Sequence, residues 1–185
     1  LVLGTGLLSI CVLRAFTVGV TYDEAWTLTG FVPFSYADIL SFTPCDANNH
    51  LLNTLLIRFL YSVFPTTLFV ARLPNLLAAL LFAVYAYKLS RKFSGPLPYF
   101  TYGFLLLNPF LLEFFSLARG YGLAMGFLVM ALYYMFEFAS KRATTALLLS
   151  AFCLLLMSAS MLSSLHLVLP AYGLLTLLVF KQKEN

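Results

Sequence analysis

Two carboxylates stand side by side in "VTYDEAWTLTGF", residues 20–31, as Asp23 and Glu24. Residues 1–20 before them read almost without charge, and an indole, Trp26, follows two positions on. A carboxylate held near a hydroxyl can take its proton as a general base. Other groups able to join such chemistry recur along the chain. His50 follows Asn48 and Asn49, Arg72 sits in "ARLPN", and Glu113, Arg119 and Tyr121 share "NPFLLEFFSLARGYGLA". His166 lies in a later apolar run. Arginine grips phosphate through forked, charge-assisted hydrogen bonds. Carboxylate and arginine together therefore suit the transfer of a group to a hydroxyl with a phosphate as leaving group.

The motifs of other phosphate chemistries do not occur. The chain has no GxGxxG, P-loop, HExxH, GxSxG or DxD signature. With no nucleotide-binding machinery, a phosphate handled beside apolar segments points to a lipid-phosphate-linked donor. Each residue also has a plainer reading. Asp23 and Glu24 suit a solvated loop start, Arg72 suits snorkelling to headgroups, and Tyr121 suits an interfacial aromatic belt. A lone histidine such as His50 or His166 is more often packed or wet than catalytic. Arg119 is harder to explain away, because Gly120 and Gly122 beside it let another group approach the backbone closely.

The elements that must position these groups are apolar helices. Of 185 residues, 62% are hydrophobic and 10% charged, and the mean hydropathy is +0.93. Soluble domains carry roughly 25% charged residues, so the composition predicts an all-α polytopic membrane protein. Spanning candidates are 1–20, 71–90, 96–112, 120–138, 144–163 and 166–180, about six in all. Pro74, Pro96, Pro98 and Pro109 fall near their ends, where a missing N–H matters little. The run "HLLNTLLIRFLYSVF", 50–64, is short for a span. Its His50, Asn53, Thr54, Arg58 and Tyr61 recur every three to four residues, which predicts an outward-facing juxtamembrane amphipathic helix in the interface plane.

The basic residues choose between topologies. If 50–64 does not span, Lys88, Arg91, Lys92, Lys141, Arg142, Lys181 and Lys183 share the side of the N-terminus. Asp23, Glu24, Asp38, Asp46, Glu113, Arg58, Arg72 and Arg119 then share the other. The positive-inside rule prefers this arrangement, with a cytoplasmic N-terminus in the plasma (inner) membrane and the carboxylate pair facing outward. The net charge of +4 thus reads as a topology signal, and nucleic acid is not an expected partner. Cys11, Cys45 and Cys153 are scattered, with no disulfide framework or metal-binding spacing. No metal site and no resident cofactor are assigned, and a divalent-metal requirement is left open. Residues 1–185 read as a single transmembrane domain with a polar outer loop over about 21–70.

The ordered motifs "YDEAWT", "NNHLLNTLLIRF", "ARLPNLLAALLFAVYAYKLSRKF" and "NPFLLEFFSLARGYGLAMGF", and more loosely "SSLHLVLP", resemble the N-terminal half of GT-C glycosyltransferases. The branch they resemble is family 39, which holds protein O-mannosyltransferases and lipid A aminoarabinose transferases, and bacterial members in particular. The resemblance covers about residues 20–138. It implies an inverting transfer from a polyprenyl-phosphate-linked sugar to a glycan, lipid or protein hydroxyl at the outer membrane face. It further implies Asp23 as general base, Glu24 as its partner, and Arg72, Arg119 and His50 as contacts to the donor phosphate. Asn49, Tyr121 and His166 would be supporting residues. Leu51 and Leu52 stand where the family has prolines after the position of His50. Relatives carry further helices beyond the point where this chain stops at "KQKEN", so a shortened member is expected. Two other readings stay open: a non-catalytic fragment or accessory subunit with this fold, and a transporter or flippase component. The second would call for ionisable groups near mid-membrane and inverted repeats.

Overall fold

The computed structural model describes residues 2–43, 45–46 and 48–183, the side chains of Gln182 and Lys183 excepted. Lys183, counted above among the basic residues of the N-terminal side, therefore has its side chain outside the described residues. Among the described residues ten α-helices follow one another and there is no strand. They are α1 (Val2–Thr17), α2 (Tyr22–Gly30), α3 (Tyr36–Leu40), α4 (Leu51–Val63) and α5 (Leu68–Ser90). After these come α6 (Leu97–Leu106), α7 (Pro109–Ser116), α8 (Gly120–Lys141), α9 (Thr144–Ser160) and α10 (Leu165–Lys183). A 3-10 turn, Leu162–Ser164, leads into α10.

Local chemistry explains where the long apolar runs break. α1 stops at Thr17, and the chain bends by 71° before α2. Thr21 starts α2 with a capping box: its side chain accepts from the Glu24 amide, and the Glu24 carboxylate accepts from the Thr21 amide at 3.0 Å. The expected single segment 96–112 is two helices. The Asn108 side chain accepts from the Phe110 amide at 3.0 Å, and Pro109 has no N–H to continue α6. α8 ends where Arg142 adopts the left-handed conformation, φ 56°.

Side-chain bonds fix the directions of the long helices. Asn75 of α5 meets Leu123 of α8, Tyr85 meets Tyr134, and Lys92 just after α5 meets Glu137. These pairs advance together, so α5 and α8 run parallel. α6 and α7 carry the chain back between them. α9 returns against α8, with Ser150 bonded to the Ala131 carbonyl. α10 runs against α9, with Tyr172 bonded to the Ala151 carbonyl. α1 lies against α5 in the opposite sense: the Ala15 carbonyl meets Arg72, and Gly4 packs near Ala83.

α5, α8 and the stretch Leu162–Lys181 are long and apolar enough to cross a membrane, and a fourth crossing results if the bent pair α1–α2 counts as one. The core lies between α1, α5, α7 and α8, around Cys11, Ala79, Phe82 and Phe115, with a second cluster between α8, α9 and α10. Outside, large apolar groups face away from the protein: Phe104 is 84% exposed and Leu177 66%. This pattern belongs to an all-helical protein whose outer surface suits lipid. The shorter runs α6, α7 and α9 do not meet the length of a span alone.

α4 turns its polar side inward. Asn53 and Thr54 are fully buried, while Phe59 and Val63 are exposed. The interface helix expected from the sequence pattern has its stripe, but the stripe faces protein rather than solvent. Its amide and hydroxyl groups find fixed partners there, which an apolar surrounding could not supply.

Candidate active site

One end of the bundle gathers the start of α2, the starts of α4, α5 and α8, and the end of α9. At its centre Glu24 and Arg72 form an ion pair at 2.7 Å, both side chains fully buried. A guanidinium has five N–H donors, and Arg72 uses all of them. Nε and one Nη2 hydrogen go to the two Glu24 oxygens at 2.8 and 2.7 Å. Nη1 donates to the carbonyls of Ala15 at 3.0 Å and Val18 at 2.8 Å, and Nη2 to that of Gly19 at 3.0 Å. Ala15 lies in the last turn of α1 and Val18 and Gly19 in the link just beyond it, so Arg72 caps the exit of α1 from α5. The bend between α1 and α2 thus has a cause in α5.

Glu24 has a further partner. Its Oε1 accepts from the Ala118 amide at 2.7 Å. The Ala118 carbonyl accepts from Asn53 Nδ2 at 3.1 Å, and Asn53 Oδ1 accepts from Asn75 Nδ2 at 3.0 Å. Asn75 Oδ1 then accepts from the Leu123 amide at 3.1 Å. The short link between α7 and α8 is therefore held at both polar atoms of one residue, and this fixes the backbone of the next, Arg119. Gly120 and Gly122 belong to the same clamp. A Cβ on Gly120 would lie 1.9 Å from the Ser160 carbonyl, and one on Gly122 2.7 Å from the Phe114 carbonyl.

Arg119 is placed differently from Arg72. Its Nη1 pairs with Asp23 Oδ2 at 2.6 Å, and its Nη2 meets the Tyr121 hydroxyl at 3.3 Å. The guanidinium carbon lies 4.6 Å from the centre of the Tyr121 ring. Nε is buried with no partner. These contacts occupy two of its donors, and the Asp23 side chain is 38% exposed. The pair is charged and half-buried, with the Asp23 carboxylate as its more exposed member.

His50 caps this arrangement from the N-terminus of α4. It is 5% exposed, packs edge-on to Tyr121 at 5.1 Å, and leaves Nε2 without a partner. Burial, with the Arg119 charge beside it, pushes its pKa down to about 4 against the opposing pull of Asp23 and the Ser160 carbonyl. At neutral pH it is an uncharged ring with one unbonded nitrogen.

Asp23, His50, Arg119 and Tyr121 thus come together. Arg72 does not join them as a phosphate contact, because every donor it has is bonded within the protein. Glu24 points away from Asp23 into the core and holds structure rather than an acceptor. Asn49 is buried, accepting from the Thr54 hydroxyl at 3.1 Å, and so braces the first turn of α4. His166 is exposed at the start of α10, in contact with the Ser163 carbonyl of its own turn. Asn53, read above only as part of a polar stripe, and Asn75 and Ser160 are not singled out as site residues by the sequence. An asparagine inside an apolar run, as in "LLNTLL" and "LPNLL", is the signal that marks the first two. Among the described residues no group of three or more His, Cys, Asp or Glu side chains converges as a metal site would require.

Compared with protein-family models, with curated proteins and with solved structures, the chain has no match.

Proposed function

We propose that this chain is the catalytic membrane part of a glycosyltransferase that moves a sugar from a polyprenyl-phosphate carrier to a hydroxyl at one membrane face. The observation that carries the reading is the Asp23–Arg119 pair: an arginine with unused donors beside an accessible carboxylate, on backbone clamped through Ala118. In this reading the donor phosphate lies on Arg119, over Tyr121, while His50, whose Nδ1–H is given to the Ser160 carbonyl, offers Nε2 only as an acceptor, for a sugar hydroxyl rather than for the phosphate. Asp23 takes the proton of the acceptor hydroxyl. The hydroxyl oxygen attacks the anomeric carbon opposite the phosphate, the carbon–oxygen bond to phosphate breaks, and polyprenyl phosphate leaves with that electron pair. The configuration inverts.

The resting ion pair adds an order to these steps. An anionic phosphate arriving at Arg119 displaces Asp23, so the base is released only when a donor is present. The six-segment topology, with a cytoplasmic N-terminus and the site outward, belongs to the same proposal. It is supported by the alternation of helix directions and by the gathering of Lys88, Arg91, Lys92, Lys141 and Arg142 at the opposite end of the bundle.

Two variants in nanodiscs test the reading. Asp23→Asn keeps the shape of the side chain and removes the base, so turnover from a polyprenyl-phosphate sugar falls by about 10²–10⁴ while donor binding persists. Arg119→Lys keeps the charge but loses the fork, and weakens donor binding as well as turnover. Normal donor binding and turnover in both variants would sink the proposal and leave a non-catalytic subunit as the better reading.

A further inference from the structure

The end of the bundle away from Asp23 carries a feature that the transferase reading does not use. An apolar groove of about 310 Å³ runs between α1, α5 and α6, lined by Leu8, Leu80, Ala83, Val84 and Tyr102 among others. At its end it reaches Tyr87 and Lys88. The same two residues line a second hollow of about 270 Å³, completed by Arg91, Lys92 and Tyr133. The two spaces are thus neighbours that share Tyr87 and Lys88 as a wall, the first apolar along the helices and the second basic.

The basic end is not neutralised by the protein. Glu137 binds Lys92 and, at 2.7 Å, Lys141, which leaves Lys88 and Arg91 without an ion pair among the described residues. Lys88 instead rests over the rings of Tyr85 and Tyr133, with its Nζ 4.7 and 5.8 Å from their centres. The aromatic floor thus keeps that ammonium at the mouth of the groove. From Leu80 to Lys88 the helix rises about 12 Å, close to the depth of one leaflet, half of a hydrocarbon core of about 30 Å. A groove of that depth, open sideways and ending in cations, has the dimensions and charge of one lipid chain beneath an anionic headgroup.

We infer that this groove and its basic mouth form a binding site for an anionic glycerophospholipid, its acyl chain along α1, α5 and α6 and its phosphate on Lys88 and Arg91. The inference does not depend on the transferase reading, since no residue of that site takes part. Basic pockets between helices at a membrane interface recognise such headgroups through charge rather than shape.

The test is lipid retention by native mass spectrometry, with the protein released from micelles containing equimolar phosphatidylglycerol and phosphatidylcholine. Phosphatidylglycerol should be retained in preference. Lys88→Ala and Arg91→Ala should each lower that preference by about fivefold. Both side chains are exposed, so the fold should persist, as checked by circular dichroism and gel filtration. Val84→Trp, at a groove position 41% exposed, should abolish retention with the cations intact. Inorganic phosphate at millimolar concentration should not compete, because it has no chain to bury. Equal retention of the two lipids, unchanged retention in Val84→Trp, or displacement by inorganic phosphate would each overturn the inference, the last pointing to a free-anion site and equal retention to a groove covered by another apolar segment.

Discussion

Two arginines at the starts of long helices do different work, and the difference is a count of donors. Arg72 has all five bonded inside the protein, whereas the contacts of Arg119 take two. The first is therefore a structural cation. Glu24→Gln should strand its charge in a fully buried site, and breaking such a buried pair costs about 3–5 kcal/mol. A thermal melt in detergent should show a large drop for Glu24→Gln and for Arg72→Ala, and an unchanged melt in either would reassign the pair to function. His50 gives a prediction in pH. Its folded pKa, about 4, lies below its ordinary 6.5, so the unfolded chain binds the proton first as pH falls. Its contribution to stability is complete above about 6.5 and is lost between 6.5 and 4, with no further loss below. Melts across that window should fall less steeply in His50→Gln, and equal slopes would mean that the ring is solvated.

At the scale of elements, close approach decides the geometry. α8 meets the end of α9 and the start of α4 at Gly120, where an added methyl would overlap the Ser160 carbonyl and crowd the His50 ring. Backbone cannot yield as a side-chain tip can, so Gly120→Ala should push α9 from α8. Overpacking of this kind costs about 1–3 kcal/mol, and it should also shift Arg119, the residue just before. The check is a lowered melting midpoint together with weakened donor binding. Gly173→Ala is the comparison, since nothing lies within 4 Å of its added methyl, and a Gly120→Ala protein as stable as that one would argue against the tight crossing. The inward stripe of α4 belongs to the same scale. Asn53 and Thr54 are worth burying because each has a fixed partner, Ala118 and Asn49 respectively.

At the scale of the molecule, the two ends differ in charge character. One holds the mixed acid and arginine site, and the other holds Lys88, Arg91, Lys92, Lys141 and Arg142, with Glu137 paired to Lys92 and Lys141. The proposed orientation puts the first end outside, and three cysteines test it. Cys45 is exposed in the loop after α3, while Cys11 and Cys153 are buried. An impermeant thiol reagent on intact cells should label Cys45 and spare the other two. Labelling of Cys45 only after the membrane is breached would place Asp23 in the cytoplasm and remove the outward site.

Read as a string, the chain already determined that it would be helical, rich in lipid-facing surface and asymmetric in charge, because composition and periodicity act locally and need no partners. The capping box at Thr21 and the break at Asn108–Pro109 are also local, made by residues two to three positions apart, although the apolar run 96–112 reads as one segment. Asp23 and Glu24, though adjacent, point about 100° apart around α2. Which of them faces the core was set by where Arg72 and the Ala118 amide lie, 48 and 94 residues away in sequence. The same holds for the two arginines: sequence places both beside apolar helices, and only the folded chain brings three carbonyls from the exit of α1 to Arg72 and a single carboxylate to Arg119. A side chain's chemistry is fixed by its type, but its free valences are fixed by its neighbours, and in this protein those neighbours come from other helices.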